Sequence, residues 1–213
     1  MEDARQGRFD RRFELAATVL LAMAAVATAW AAYQSARWHG EQAKAQSASI
    51  GARVESTRAA NVANRQGQID VALFTQWVDA YERDETELAD FYVKRFRPEF
   101  KPAFAAWVAT KPRTNPSAPL SPFAMPQYKL TAIAQADDLE AQAAASSESV
   151  GDYIQRADNY SLGVVLFAAS LFFAGISTRL RSRTSRTVVL GLGYTLFLGS
   201  LIWIATFPVS LSV

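Results

Sequence analysis

Residues Phe13–Tyr33, FELAATVLLAMAAVATAWAAY, decide how the rest of the chain is read. Leu15 to Ala32 is a run of 18 residues without a charge. At helical rise it reaches about 27 Å, close to the roughly 30 Å hydrocarbon core of a bilayer. The competing reading is a cleavable signal peptide. Arg5, Arg8, Arg11 and Arg12 would form its basic head and Ala27-Thr28-Ala29 its cleavage site. The apolar run outlasts an ordinary signal-peptide core of about 7–15 residues, so a retained first span is expected.

Two further apolar stretches follow, Tyr160 to Thr178 and Thr187 to Pro208. Between them lies TRLRSRTSR, with Arg179, Arg181, Arg183 and Arg186. Arginines in short segments are held on the cytoplasmic side. Three crossings put this loop and the arginines before the first span on one side, so the two basic segments agree. The sequence thus predicts a cytoplasmic segment 1–12, spans 13–33, 160–178 and 187–208, and a basic cytoplasmic loop 179–186. It places an extracytoplasmic domain at 34–159 and an extracytoplasmic tail at 209–213. Trp30, Tyr33, Trp38, Tyr160, Trp203 and Phe207 fall at the outer ends, as an interfacial aromatic belt would.

Half of the residues are hydrophobic, yet the mean hydropathy is 0.00. Apolar spans joined to a polar helical domain give that balance. A net charge of +2 is too small to argue for nucleic acid. There is no cysteine, which removes disulfides and thiolate metal sites, and a single histidine, His39, removes multi-histidine centres. His39 beside Trp38 is a weak pH-sensing candidate. Cofactors are expected to be none.

The stretch 34–66 has no proline and few β-branched residues, so a helix is expected to leave the membrane unbroken. Alternating steps of three and four pick out Ala36, Gly40, Ala43, Ser47, Ile50, Val54, Thr57, Asn61, Asn64, Gln68, Val71, Thr75 and Val78. That is a heptad seam of small or uncharged polar residues, with Asn61 and Asn64 placed to bond a partner helix. Gly67 marks either a bend or a tolerated glycine. A second amphipathic helix is expected over 69–95, with Ile69, Leu73, Trp77, Tyr81, Leu88 and Tyr92 on one face. Its carboxylates from Asp79 to Asp90 lack a histidine, and Asp79–Arg83 and Asp90–Lys94 are spaced as salt pairs. They read as a solvated face.

Seven of the eight prolines fall in Pro98–Pro126. Pro102 suits the first turn of a short helix, PAFAAWVAT. Phe100, Phe104, Trp107 and Phe123 make the segment 96–126 too aromatic for a disordered linker. Its rings are either buried, as a strap across the outer helices, or form a docking surface for a partner or the membrane interface. A helix over 127–159, with Leu130, Ile133, Ala134, Ala141 and Ala144 on one face, is expected to run into the second span.

No ionisable side chain lies in the body of any span, which counts against proton relays and ion-coupled transport. Gly191, Thr195 and Gly199 recur at four-residue spacing in the third span, a pattern that lets helix backbones approach, within or between chains. In the first span Glu14, Thr18, Leu21, Ala25 and Thr28 share a face, and Glu14, Thr18 and Thr28 are candidate pore-lining residues. No phosphate-binding loop, GxSxG or HExxH is present.

YQSARWHGEQA at 33–43, LADFYVKRFRPEFKPAFAAW at 88–107 and NPSAPLSPFAMPQY at 115–128 resemble a group of uncharacterised bacterial membrane proteins carrying a domain of unknown function. The resemblance covers about residues 30–178. It implies a three-span inner-membrane protein with a helical insertion after the first span, and it implies no activity and no site residues.

The expected fold is therefore an all-α membrane protein, three transmembrane helices with an extracytoplasmic helical domain inserted between the first and second. Segments 34–66 and 127–159 have the length to lie antiparallel as one stalk. The expected function is a non-enzymatic membrane protein that self-associates or scaffolds a partner. An oligomeric ion channel lined by the first span comes second and an enzyme acting on lipid or envelope third. Expected partners are membrane lipids and a second copy or protein partner, with no nucleic acid.

Overall fold

The structure, a computed structural model, describes the backbone of residues 2–210 and the side chains from Arg11 to Ser210. The side chains of Arg5 and Arg8 and the tail residues 211–213 lie outside the described residues. Five α-helices make up the fold, with no strand among the described residues. They are α1 (Glu2–Glu82), α2 (Thr86–Arg95), α3 (Lys101–Ala109), α4 (Thr131–Ser177) and α5 (Arg183–Ile204), with a 3-10 turn at Pro122–Ala124. Three of them, α1, α4 and α5, are long and apolar enough to cross a membrane. The chain divides into two compact units, one of residues 1–47 and 146–213 and one of residues 48–145.

The first unit is a three-helix bundle. On α1, Phe13, Ala17, Leu20, Ala24 and Ala31 are buried, and Gln34 and Trp38 continue that face. Their steps of three and four keep one helix face inward. Ala157, Tyr160, Phe167 and Ala174 of α4 and Leu190, Phe197 and Ile204 of α5 close the core. The Tyr194 hydroxyl donates to Ala16 O at 2.8 Å, and beyond the end of α5 Ser210 N–H donates to Gln34 Oε1 at 3.0 Å, so α5 runs beside α1 in the same direction. Ser35 and Ser161 hydroxyls meet at 2.9 Å and Trp38 stacks on Tyr153, so α4 runs against them.

Close approach in this bundle depends on two glycines that the sequence pattern did not single out. A Cβ on Gly193 would stand 3.2 Å from Leu20 Cδ2 and 3.3 Å from Phe173 Cβ. One on Gly163 would run into Ile204 Cδ1. At one end of the bundle Arg186 lies over the Phe13 ring, 4.3 Å from its centroid. At the other, Tyr160 donates to Pro208 O at 3.2 Å and Phe207 packs edge-on to Tyr160 and Trp203.

In the second unit α1 continues unbroken through Gly67 and ends at Glu82. The single helix expected over 69–95 is broken at 83–85. Asp84 takes a left-handed φ of 58°, a conformation aspartate tolerates better than most residues, and the chain turns into α2. Pro102 sits in the first turn of α3, whose missing N–H costs nothing there.

The antiparallel partner of α1 in this unit is the start of α4. Ser49 Oγ donates to Ala143 O at 2.9 Å, and Ser56 Oγ to Ala136 O at 3.0 Å. The buried stripe of α1 is Ser49, Ala59, Ala63, Asp70, Trp77 and Ala80, with Ala52, Ser56, Gln66 and Leu73 half-buried between them. The expected seam has the right period but stands two residues out of phase, a rotation of about 200°. Every member from Ala36 to Thr75 is exposed. Alanine and serine, rather than the β-branched residues, face α4, because small side chains let two helices approach closely. The α4 face is corrected in the same way. Leu130, Ala136 and Ala143 are buried, whereas Ile133, Ala134, Ala141 and Ala144 are exposed.

Candidate functional site

The second unit carries an aromatic head built from the end of α1, α2, α3 and the proline-rich segment. Phe100 and Phe104 follow one another by one helical turn and Trp107 by nearly another, so all three point from α3 into the head. Phe100 is fully buried, and Phe104 and Trp107 are each 8% exposed. Phe123 is half-buried and stacks on Phe100 at 5.2 Å between centroids. Phe74 of α1 meets Trp107 edge-on at 5.3 Å, and Trp77 meets Phe104 edge-on at 4.8 Å. The Trp107 indole N–H donates to Pro119 O at 2.7 Å, which ties α3 to the proline-rich segment.

Beside this cluster lies a pocket of about 640 Å³, lined by Trp77, Tyr81 and Trp107 and by Lys111, Arg113 and Glu82. Arg113 is 3.1 Å from Glu82 and lies over the Tyr81 ring, so one cation of the pocket is already held by the chain. Lys111 takes a left-handed φ of 52° as it leaves α3. Leu120, also on the wall, is 99% exposed. Asp79, Glu82, Asp84, Glu85, Glu87 and Asp90 are all exposed, and the expected Asp79–Arg83 and Asp90–Lys94 pairs are not among the ion pairs of the described residues. Among the described residues no group of three or more histidines and carboxylates is placed to hold a metal.

Under the head lies a polar cluster that the sequence reading missed. Asp70 is fully buried on the inner face of α1. Tyr128 donates its hydroxyl to Asp70 Oδ2 at 3.1 Å, and Arg97 stands 3.5 Å from the same oxygen. Arg97 also bonds Glu99, whose other oxygen accepts from the Thr131 hydroxyl at 2.6 Å. This chain of contacts joins α1, the loop after α2, and the N-terminus of α4. Burial outweighs the Arg97 charge and pushes the Asp70 carboxyl above its usual value. Hydrogen bonds from Thr131 and Arg97 hold Glu99 below its own. Burial next to Asp70 pushes the Tyr128 hydroxyl up to about 12. Asp70 Oδ1 and Gln66 Oε1, one turn apart, have no hydrogen-bond partner among the described residues. Asp70 falls on the same three-four spacing as Leu73 and Trp77, and carrying that phase back along α1 would have marked it.

The remaining expected site residues lie on outward faces. Asn61 and Asn64 are exposed on the side of α1 away from α4. Gly191, Thr195 and Gly199 are exposed on α5, nothing lies within 4 Å of a Cβ placed on either glycine, and Thr195 bonds back to Gly191 O. Glu14 and Thr18 are exposed, and Thr28 is half-buried. Both threonine hydroxyls are spent on their own helix, Thr18 on Glu14 O and Thr28 on Ala24 O. His39 is exposed and 3.1 Å from Gln42 Oε1.

No family model, curated protein or solved structure matches this chain.

Proposed function

We propose that this chain is a non-enzymatic integral membrane protein of the bacterial inner membrane that self-associates through its outward helix faces, with residues 34–159 on the extracytoplasmic side and the N-terminus in the cytoplasm. One observation supports the reading above others. In each unit the stripe suited to helix association is left uncovered by the chain itself: Ile50, Val54, Thr57, Asn61 and Asn64 on α1, and Gly191, Thr195 and Gly199 on α5. Copies of the chain would cover them. The buried rings of the aromatic head favour the strap role for 96–126, which fixes the end of α1.

The ion channel stays as the second reading, because Glu14 and Thr18 face outward and would line a path only between copies. Two measurements test the proposal. Native mass spectrometry from lipid nanodiscs is expected to show oligomers, and a purely monomeric protein sinks both readings. Ala60→Cys and Thr110→Cys are expected to react with an impermeant thiol reagent on intact cells. Labelling only after lysis would invert the topology. Ion flux in reconstituted vesicles that responds to Glu14→Gln would shift the reading to the channel.

A further inference from the structure

The two helices of the second unit carry opposite charge on the faces they turn away from each other. Between residues 48 and 66, α1 presents Arg53, Arg58 and Arg65 against a single carboxylate, Glu55. Between residues 131 and 145, α4 presents Asp137, Asp138 and Glu140 and no cation. All seven side chains are exposed. Arg58 is engaged with Glu55, but Arg53, Arg65, Asp137, Asp138 and Glu140 have no ion-pair partner among the described residues. The contact between α1 and α4 within the chain is made by serine hydroxyls and alanines, so this complementarity is not used there.

Alongside the charges run uncovered apolar and small residues. On α1 these are Ile50 and Val54, 53% and 45% exposed. On α4 they are Ile133, 48% exposed, and Ala134, Ala141 and Ala144. Ile50 and Val54 on α1, and Ala134 and Ala141 on α4, stand about two residues, or roughly 150–200°, from the stripe their helix buries, with Ile133 and Ala144 on the flanks of the α4 face, so the two outer faces lie on opposite sides of the helix pair.

We propose that the outer α1 face of one copy packs against the outer α4 face of a second copy, with Arg53 and Arg58 set against Asp137, Asp138 and Glu140. This rests on the self-association reading and names its geometry. In this contact α1 meets the neighbour's α4 antiparallel and in the register at which it meets its own. Ser49 is level with Ala143 and Ser56 with Ala136. Arg53 is then level with Leu139, between Asp138 and Glu140, and Arg58 with Ala134, one turn from Asp137 and Asp138. A contact that joins two different faces is heterologous. In one membrane it closes as a ring rather than stopping at a dimer. A parallel α1–α1 pairing would instead bring Arg53 and Arg58 of two copies together, which like charges oppose.

The chain has no cysteine, so introduced thiols are the only ones. Val54→Cys and Ala141→Cys, within one turn of the same level, are expected to crosslink when the two single variants are mixed in membranes. One chain carrying both is expected to give a ladder of trimers and above. Arg53→Glu with Arg58→Glu is expected to weaken association about tenfold, several exposed pairs being reversed at once. Asp137→Lys with Asp138→Lys should do the same, and mixing the two double variants should restore it. Crosslinking of Val54→Cys to itself, a ladder that ends at dimer, or failure of the mixture to recover would overturn this geometry while leaving self-association standing. Monomers throughout would remove both.

Discussion

Asp70 shows how a single buried carboxylate reports on the head. The folded chain holds its proton more tightly than the unfolded chain, because burial raises its value above the ordinary 3.8. The folded state is therefore favoured below the raised value and loses that advantage as pH climbs through it. Glu99 runs the other way, its contribution present above its ordinary 4.5 and lost as pH falls. Asp70→Asn keeps an acceptor for Tyr128 and removes the charge. Its melting temperature, followed by circular dichroism from pH 4 to 7, should lack the decline with rising pH that Asp70 adds to the wild type. Superimposable profiles would show that Asp70 is ionised in both states. At Trp107 the expectation concerns packing. Truncation to alanine removes a ring enclosed by Phe74, Trp77 and Phe104 and leaves Pro119 O without its donor. A loss of about 3–5 kcal/mol is expected in denaturant titrations. A curve like that of the wild type would place the ring on solvent.

Among the elements, the two kinds of glycine in α5 separate packing from association. Gly193→Val should destabilise the three-helix bundle by about 1–3 kcal/mol, since the added methyls meet Leu20 and Phe173. Gly199→Val should leave the fold intact and lower the oligomeric fraction. Equal loss of folding in both, measured by detergent-denaturant unfolding, would refute the distinction. The sequence showed the three apolar helices plainly, because hydrocarbon length leaves few alternatives for such runs. It also showed the heptad period of α1 beyond Ser47, but not which face that period buries. Two stripes along α1 obey the same spacing, one with Ile50, Val54 and Asn61, the other with Ser49, Ala59 and Ala63. The period alone cannot rank them, and the larger apolar residues lie on the outer one. Leu73 and Trp77 belong to the buried stripe, so the phase could be carried back from the aromatic end. The Asp70 cluster was hidden for a different reason: Arg97, Glu99 and Tyr128 reach it only once the turn at Asp84 and the proline-rich segment have folded back.

For the whole molecule, the order in which the chain is made matters as much as its final contacts. The buried amide of Gln34 accepts from Ser210 N–H at 3.0 Å and donates to Ser210 O at 3.4 Å, across 176 residues of sequence. A ribosome delivers Gln34 long before the segment that satisfies it exists. Until α5 and the residues after it are in place, that side chain has neither of these bonds, and enclosing it without them would be costly. A chain that stops short of Ser210 would therefore leave the buried amide of Gln34 without either bond.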